Sequence, residues 1–383
     1  MFTLDASKND TSIALDALRA IAAQMVCIGH GISFFMPQLR NSRFPLPQNV
    51  GVLLFFVLSG FLISHMLFTR SRDPNYGFLQ FLIERVARIY SGLVPCLLVI
   101  AAVDAVTVHL TGDSAISSSH GTSVFLANLL MIESYRGPLN DLSWLQWPIF
   151  GSASPLWTLV IEWHIYLFVG AVFFIGARPR TAALLVAVAL VFGQIPLHYL
   201  FGALQDDGVG QSLFVLWLGG AYAYLAASGG YLQNRMLGAL IAVAALVAYI
   251  ASTHAFLEYR PRGYPLLVIF VLAIVMATQG QRMITSPTAI KVIRFFAGYS
   301  FTLYLIHHTL MYLAFLLWKD AGWTVFIPAV IVSNVLAAIV AAFTEKRHKS
   351  LARHLLQFAV PSRDDLRARL AGAHAGSHAK ASE

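Results

Sequence analysis

The sequence predicts an all-α, polytopic membrane protein with about ten transmembrane helices around a central intramembrane site. Hydrophobic residues form 58% of the 383 residues and charged residues only 11%, whereas soluble domains carry about 25% charged residues. The mean hydropathy is +0.69. Apolar runs of about 20 residues, the length of a helix that crosses a bilayer, recur along the chain. These observations exclude a soluble fold.

Ten apolar runs are predicted to span the membrane. A cleavable signal peptide is not expected, because Asp16 and Arg19 interrupt the first run and no small-residue cleavage site follows it. A further apolar segment, 122–133, is short and is expected to be re-entrant or interfacial. The predicted spans are 13–36, 48–69, 90–110, 155–176, 181–201, 211–228, 236–254, 264–280, 295–318 and 323–344.

The basic residues predict the orientation of these spans. With the N-terminus inside, nineteen of the 26 basic residues lie in inside regions and six in outside regions, as the positive-inside rule expects. Both termini are therefore predicted to be cytoplasmic, in a multi-pass protein of the inner cell membrane. The net charge of +8 follows this topology and does not indicate a nucleic-acid partner. Residues 1–345 are expected to form one transmembrane domain, and 346–383 a basic, partly disordered tail that begins with an amphipathic helix.

The first span carries two ionisable residues on one face. Arg19 and His30 are eleven residues apart, which brings a helix back to within about 20° and separates them by roughly 16 Å along its axis. Ionisable groups inside a membrane segment are expensive and mark functional sites by default. Asp16 lies one turn before Arg19 and is expected to pair with it. A structural role for His30, hydrogen-bonded to a neighbouring helix, stays open.

Two arginines near the start of the third span form a second candidate cluster. Arg85 and Arg88 are three residues apart, so both guanidinium groups project from one face of a helix. Paired arginines suit the binding of phosphate groups. Arginines at helix ends also snorkel to the interface, so an ordinary structural role is the alternative.

The remaining candidates lie in two later spans. Glu162 must be paired, protonated or facing water. His164 points to another helix face and is expected to be a supporting group of the site or structural. His307 and His308 are adjacent, so at most one of them is expected to share a cavity with His30. Metal binding is not expected, because no histidine pair at helical ligand spacing and no cysteine ligand set is visible.

At these residues the sequence resembles the acyltransferase type 3 family of integral membrane O-acyltransferases. The resemblance runs from about Ser12 to Glu345 and rests on five segments in order. They are LDALRAIAAQMVCIGH, FFVLSGFLIS, RVARIY, LWTLVIEWHIYLF and GYSFTLYLIHH.

This resemblance implies transfer of an acyl group, by default acetyl, from acyl-coenzyme A to a hydroxyl of a carbohydrate-type acceptor. It implies catalytic roles for His30, Glu162 and Arg19, and binding of the coenzyme A donor by Arg85 and Arg88. The matching segments also bring in a late histidine and two further polar residues as substrate-site or supporting groups: His307, Ser59 and Tyr166.

The expected mechanism uses His30 as general base on the acceptor hydroxyl, oriented by Glu162, with a transient acyl-histidine left open. Arg19 is expected to serve the donor rather than the oxyanion, because of its axial separation from His30. Departures from the family pattern leave the acceptor undefined, for example Ser91 where a proline usually follows RIY. The rival class is a transporter of a small polar or anionic solute, since carriers also bury Arg, Glu and His.

Overall fold

The structure is a computed structural model that describes residues 4, 9–41, 43–133, 147–176, 210–230, 233–280, 282, 284–319 and 322–359. The predicted span 181–201 and the tail beyond residue 359 lie outside the described residues. Within the described residues, regular structure is helical apart from one isolated bridge between Glu133 and Trp147.

The described helices are labelled in chain order. They are α1 (Thr11–Phe35), α2 (Pro47–Arg70), α3 (Phe78–Thr111), α4 (Ser114–Ser119), α5 (Thr122–Leu129), α6 (Leu156–Phe174), α7 (Leu213–Ser228), α8 (Arg235–Ser252), α9 (Tyr264–Thr278), α10 (Pro287–Ala297), α11 (Ser300–Leu317), α12 (Trp323–Phe343) and α13 (His348–Ala359).

Eight of the described helical segments are long and apolar enough to cross a membrane, and α7 is a shorter apolar helix of 16 residues. Each predicted span that falls on described residues therefore contains a helix, while the total of ten and the orientation stay predictions. The segment 122–133 forms only α5, an eight-residue helix of about 12 Å that is too short to cross a bilayer.

The predicted span 295–318 is wrong at its start. The helix breaks at Gly298 and Tyr299, and α11 begins at Ser300. The preceding residues form α10, an amphipathic helix that carries Lys291 and Arg294. The predicted span merged these two helices, because a continuous apolar run does not reveal where the chain changes direction.

Close packing around α2 sets the position of the polar residues. A Cβ atom on Gly60 would overlap the carbonyl of Trp217 in α7, and one on Gly51 would overlap the carbonyl of Ala22 in α1. Small residues let membrane helices approach to backbone contact, where dispersion and hydrogen bonds can act. As a result α2 lies between α1 and α7, with Ser59 buried against α7.

The predicted amphipathic helix at the start of the tail is α13. It packs against α3, with Ala352 buried and Phe358 exposed. Just before α13, Glu345 is buried and accepts hydrogen bonds from the amide and hydroxyl of Thr302 in α11. The end of the transmembrane domain is thereby tied to the helix that carries the two adjacent histidines.

Candidate active site

Two adjoining cavities lie in the helix assembly. The arginine cavity has a volume of about 240 Å³ and is lined by Arg19, Arg85, Arg88 and Glu162, among others. The histidine cavity has a volume of about 970 Å³, and its lining includes His30 and His308, aromatic side chains and amides. Two residues, Val52 and Tyr304, line both cavities.

Helix α1 serves both cavities. Arg19 lines the arginine cavity and His30 lines the histidine cavity. The eleven-residue spacing therefore points both side chains inward, as predicted, but into different cavities. The expected pair is present, with Arg19 Nη2 at 3.2 Å from Asp16 Oδ1. Arg19 also donates to the carbonyl of Ala297 at 3.2 Å.

A hydrogen bond between two hydroxyl groups lies at the boundary between the two cavities. The hydroxyl of Thr158 donates to the carbonyl of Pro155 at 3.0 Å, so its single hydrogen is used there. The phenol of Tyr304 must then donate to Thr158 Oγ1, with which it is in close contact. Its ring lies 5.5 Å from Phe55 and 6.2 Å from His307, centroid to centroid. Tyr304 thus connects α11 to α6 at the boundary between the cavities.

Three histidines form one cluster, two members of which line the histidine cavity. His30 Nδ1 lies 2.8 Å from His307 Nε2, and the His308 ring centroid lies 5.3 Å from that of His30. His308 lines the cavity, whereas His307 is fully buried behind His30. Only one of the adjacent histidines therefore lines the cavity, as expected, but both rings contact His30.

Backbone carbonyls determine the tautomers of this cluster. His307 Nδ1 lies 2.9 Å from the carbonyl of Leu303, and His308 Nδ1 lies 2.8 Å from the carbonyl of Ser152. A carbonyl only accepts, so both Nδ1 atoms carry hydrogen in the neutral rings and both Nε2 atoms carry a lone pair. His307 Nε2 must then accept from His30 Nδ1, which leaves the lone pair of His30 on Nε2.

A buried carboxylate that the sequence analysis did not single out holds the carbonyl partner of His308. Asp104 in α3 accepts from the amide of Ser152 at 2.9 Å and from its hydroxyl at 2.6 Å. The signal was present, because an aspartate in the apolar run after Arg88 needs a polar partner. The partner itself lies 48 residues away in the chain and could not be read from spacing.

The arginine cavity contains three cations and one carboxylate. Arg88 Nη1 lies 2.8 Å from Glu345 Oε1, and Arg19 is paired with Asp16. Arg85 differs, because its one hydrogen bond in the described part of the chain runs from Nη2 to the sulfur of Met66 at 3.2 Å. Its buried Nε has no hydrogen-bond partner there. Arg85 is therefore the least compensated cation of this cavity.

Glu162 is the end of a directed chain of hydrogen bonds. The indole N–H of Trp217 donates to Ser59 Oγ at 3.1 Å, and Ser59 Oγ lies 2.9 Å from Tyr166 Oη. The Tyr166 hydroxyl donates to Glu162 Oε1, so Ser59 must donate to Tyr166. Ser59 and Tyr166, expected at the site, are thus the groups that hold the carboxylate of Glu162.

The expectation that Glu162 orients His30 is wrong. The described partner of His30 Nδ1 is His307, while Glu162 lines the arginine cavity and accepts from Tyr166. Both groups face inward from their helices, but they line two different cavities. His164 lines neither cavity, and its two buried ring nitrogens have no hydrogen-bond partner in the described part of the chain.

A loop outside the spans closes the side of the histidine cavity. Glu258 accepts from the amide of Leu46 and, at 3.2 Å, from the side-chain amide of Asn49. Burial raises the pKa of Glu258, and the hydrogen bonds from Leu46 and Asn49 oppose that shift. The neighbouring Tyr259 packs edge-on against Trp157, with ring centroids 6.1 Å apart.

Among the described residues, no group of three His, Cys, Asp or Glu is arranged to hold a metal ion.

Comparison with known proteins gives a family and distant relatives. A family model described as an acyltransferase domain matches residues 12–343. The "Putative peptidoglycan O-acetyltransferase YrhL" of Bacillus subtilis (strain 168) is 26% identical over 365 residues, which cover 87% of this chain and 54% of the relative. The "O-acetyl transferase" of Shigella phage Sf6 is 26% identical over 215 residues, which cover 54% of this chain and 58% of the relative. The chain thus spans little more than half the length of these two relatives, and no solved structure matches it significantly.

Proposed function

Since the chain belongs to this acyltransferase family, we propose that it is an integral membrane O-acyltransferase that uses acyl-coenzyme A, by default acetyl-coenzyme A, as donor. The acceptor is a hydroxyl of a carbohydrate or carbohydrate-like molecule. The location is the inner cell membrane, with the arginine cavity on the cytoplasmic side, where the donor is made. Several apolar helices long enough to span a bilayer support the multi-pass part of this proposal.

The observation that carries the proposal is the hydrogen bond between His30 and His307. It leaves a lone pair on His30 Nε2 in a residue that lines the larger cavity. A base placed in this way takes the proton of an acceptor hydroxyl as its oxygen attacks the thioester carbonyl. His307 then plays the part that a carboxylate plays in a serine-hydrolase triad, because it fixes the tautomer and stabilises the imidazolium.

The donor end of the proposal rests on charge. Coenzyme A carries phosphates, and guanidinium groups bind phosphate with short, charge-assisted hydrogen bonds. Arg85 is assigned the leading part, because Arg88 is already paired with Glu345 and Arg19 with Asp16. The directed chain through Tyr166 keeps Glu162 as a hydrogen-bond acceptor in the same cavity. A carboxylate there limits how far the three cations repel one another when the cavity is empty.

The chemical step is placed at the boundary between the cavities, next to Val52 and Tyr304. The acceptor oxygen forms the new bond to the acyl carbon, and the carbon–sulfur bond of the thioester breaks. The hydroxyl proton passes to His30 Nε2 and from there to the departing thiolate, so atoms and charge balance. The phenol of Tyr304, which donates to Thr158 at rest and lines both cavities, is assigned as the hydroxyl donor for the developing oxyanion.

The test uses membranes from cells that express the protein and acetyl-coenzyme A labelled in its acetyl group. Products are separated into lipid, polysaccharide and small-molecule fractions. His30→Gln is expected to lower incorporation by about 10²–10⁴-fold, the usual contribution of a positioned base. His164→Gln is the matched control, because it replaces a membrane histidine that lines neither cavity. Equal incorporation by His30→Gln and wild type, at equal protein levels, would contradict the proposal and favour transport.

A further inference from the structure

The described lining of the histidine cavity, where the acceptor is proposed to bind, carries a net positive charge. Two of its lining residues are cations, Arg40 and Lys319, and none of its lining residues in the described part of the chain is acidic. The arginine cavity, by contrast, includes Glu162 in its lining. The two cavities therefore differ in how completely their charge is compensated.

Arg40 has an unusual set of neighbours for a cation with a buried atom. Its guanidinium carbon lies 5.5 Å from the ring centroid of Phe256. Its Nε is buried without a hydrogen-bond partner, and no carboxylate pairs with it among the described residues. A buried polar group without a partner is expensive, and a cation–π contact offsets only part of that expense.

A purely structural role for Arg40 explains this arrangement poorly. A snorkelling arginine buries its stem and keeps its head in open water, whereas Arg40 has a buried Nε and lines the histidine cavity. The predicted topology also places Arg40 on the outer side, where the positive-inside rule disfavours basic residues. Glu258, whose carboxylate accepts from Leu46 and Asn49 beside this cavity, forms no ion pair with Arg40 among the described residues.

The rest of the cavity suits a polar, ring-shaped ligand of several units. Trp157 and Tyr259 provide aromatic faces, and Gln48 and Asn49 provide amides that both donate and accept. The volume of about 970 Å³ is at the upper end of ordinary ligand pockets. A neutral sugar would leave the charges of Arg40 and Lys319 unused.

We propose that the acceptor carries an oxyanion, a carboxylate or a phosphate, which Arg40 binds while the reacting hydroxyl lies at His30. This inference rests on the proposed acyl transfer only for the role of acceptor. Binding of the oxyanion by Arg40 can be measured without any acyl transfer. A guanidinium has the planar fork of donors that matches either oxyanion, and Lys319 adds a second positive charge to the same cavity.

The experiment measures binding by titration calorimetry to the full chain in lipid nanodiscs, without acetyl-coenzyme A. Two matched pairs of probes differ only in charge. They are trigalacturonate with its methyl ester, and mannose 6-phosphate with mannose. The proteins are wild type, Arg40→Gln and Arg43→Gln. Arg43 is the control, because it is an exposed cation three residues further along the chain and does not line the cavity.

We expect wild type and Arg43→Gln to bind at least one anionic probe about tenfold or more tightly than its neutral partner. Arg40→Gln should lose that preference. A preference for trigalacturonate alone identifies a carboxylate, and a preference for mannose 6-phosphate alone identifies a phosphate. Equal affinities within both pairs, failure of both anionic probes to bind wild type, or an unchanged preference in Arg40→Gln would overturn the proposal.

The binding result and the proposed function fail in different ways. Absence of acetyl transfer by the wild-type protein in the labelling assay would overturn acyl transfer but would leave the affinities and their charge preference unchanged. Loss of the charge preference with intact acetyl transfer would overturn the oxyanion alone. Near-normal melting temperatures of Arg40→Gln and Arg43→Gln in nanodiscs show that neither result arises from misfolding.

Discussion

His307 provides a sharp test of how the histidine cluster works. The substitution His307→Leu removes the only described acceptor of the His30 Nδ1 hydrogen. It fills the buried position with an apolar side chain. His30 then loses the contact that fixes its tautomer. The substitution His307→Gln is the matched variant, because its amide oxygen can still accept that hydrogen bond.

The size of the effect follows from the charge that His30 gains. A hydrogen bond to a charged group contributes about 1.5–3 kcal/mol, and the bond to His307 becomes charge-assisted only when His30 holds the acceptor proton. The neutral bond already contributes about 0.5–1.5 kcal/mol, so the difference of about 1–1.5 kcal/mol corresponds to a fall of about 5- to 13-fold in kcat for His307→Leu. The fall should be smaller than for His30→Gln, which removes the base itself. His307→Gln should recover a large part of the loss.

The assay is steady-state release of coenzyme A by protein reconstituted in nanodiscs, at varied donor and fixed acceptor. The KM for acetyl-coenzyme A should stay within about threefold of wild type, because His307 does not line the arginine cavity. If His307→Leu and His307→Gln were equally impaired, a packing role would replace the orienting role. If His307→Leu kept full kcat, the role of His307 as partner of the base would be refuted.

Three further predictions concern the donor site and the packing of α2. Arg85→Gln should raise the KM for acetyl-coenzyme A by about 10-fold or more with little change in kcat, and steady-state kinetics with an unchanged KM would contradict the phosphate role. Tyr166→Phe should lower the free energy of unfolding by about 0.5–1.5 kcal/mol, because Glu162 loses its donor, and an unaltered denaturant midpoint in detergent would argue against the directed chain. Gly60→Ala should lower the free energy of unfolding by about 1–3 kcal/mol, because the added methyl group clashes with Trp217. Gly280→Ala is the control, because its added methyl group meets no atom within 4 Å. Equal thermal midpoints of the two variants would show that α2 and α7 can separate freely.

Much of the site was predictable because membrane helices restrict where ionisable residues can lie. The face shared by Arg19 and His30 and the pair of Arg19 with Asp16 follow from helical spacing alone. The predicted inward position of Glu162 also holds, since it lines a cavity. These predictions needed only the phase of each residue on its own helix.

The remaining features depend on how helices are placed beside one another, which spacing within one helix does not give. Trp217 and Ser59 meet because Gly60 in α2 and Gly220 in α7 let the two helix backbones touch. The contact joins residues 158 positions apart in the chain. The assignment of Glu162 to His30 failed for the same reason, since two inward-facing side chains can line different cavities. Asp104 was missed because its partner, Ser152, lies in a connection between helices and not in a span.

The measurement that should come first compares the rate of acetyl transfer by reconstituted wild type, His30→Gln and His164→Gln, together with the affinity of each for acetyl-coenzyme A. With His30 as the base, His30→Gln should be slowed by about 10²–10⁴-fold and still bind the donor normally, because the arginine cavity is unchanged. His164→Gln should match wild type in both quantities. A near-normal rate for His30→Gln would contradict base catalysis by His30, and with it the mechanism built on the histidine cluster.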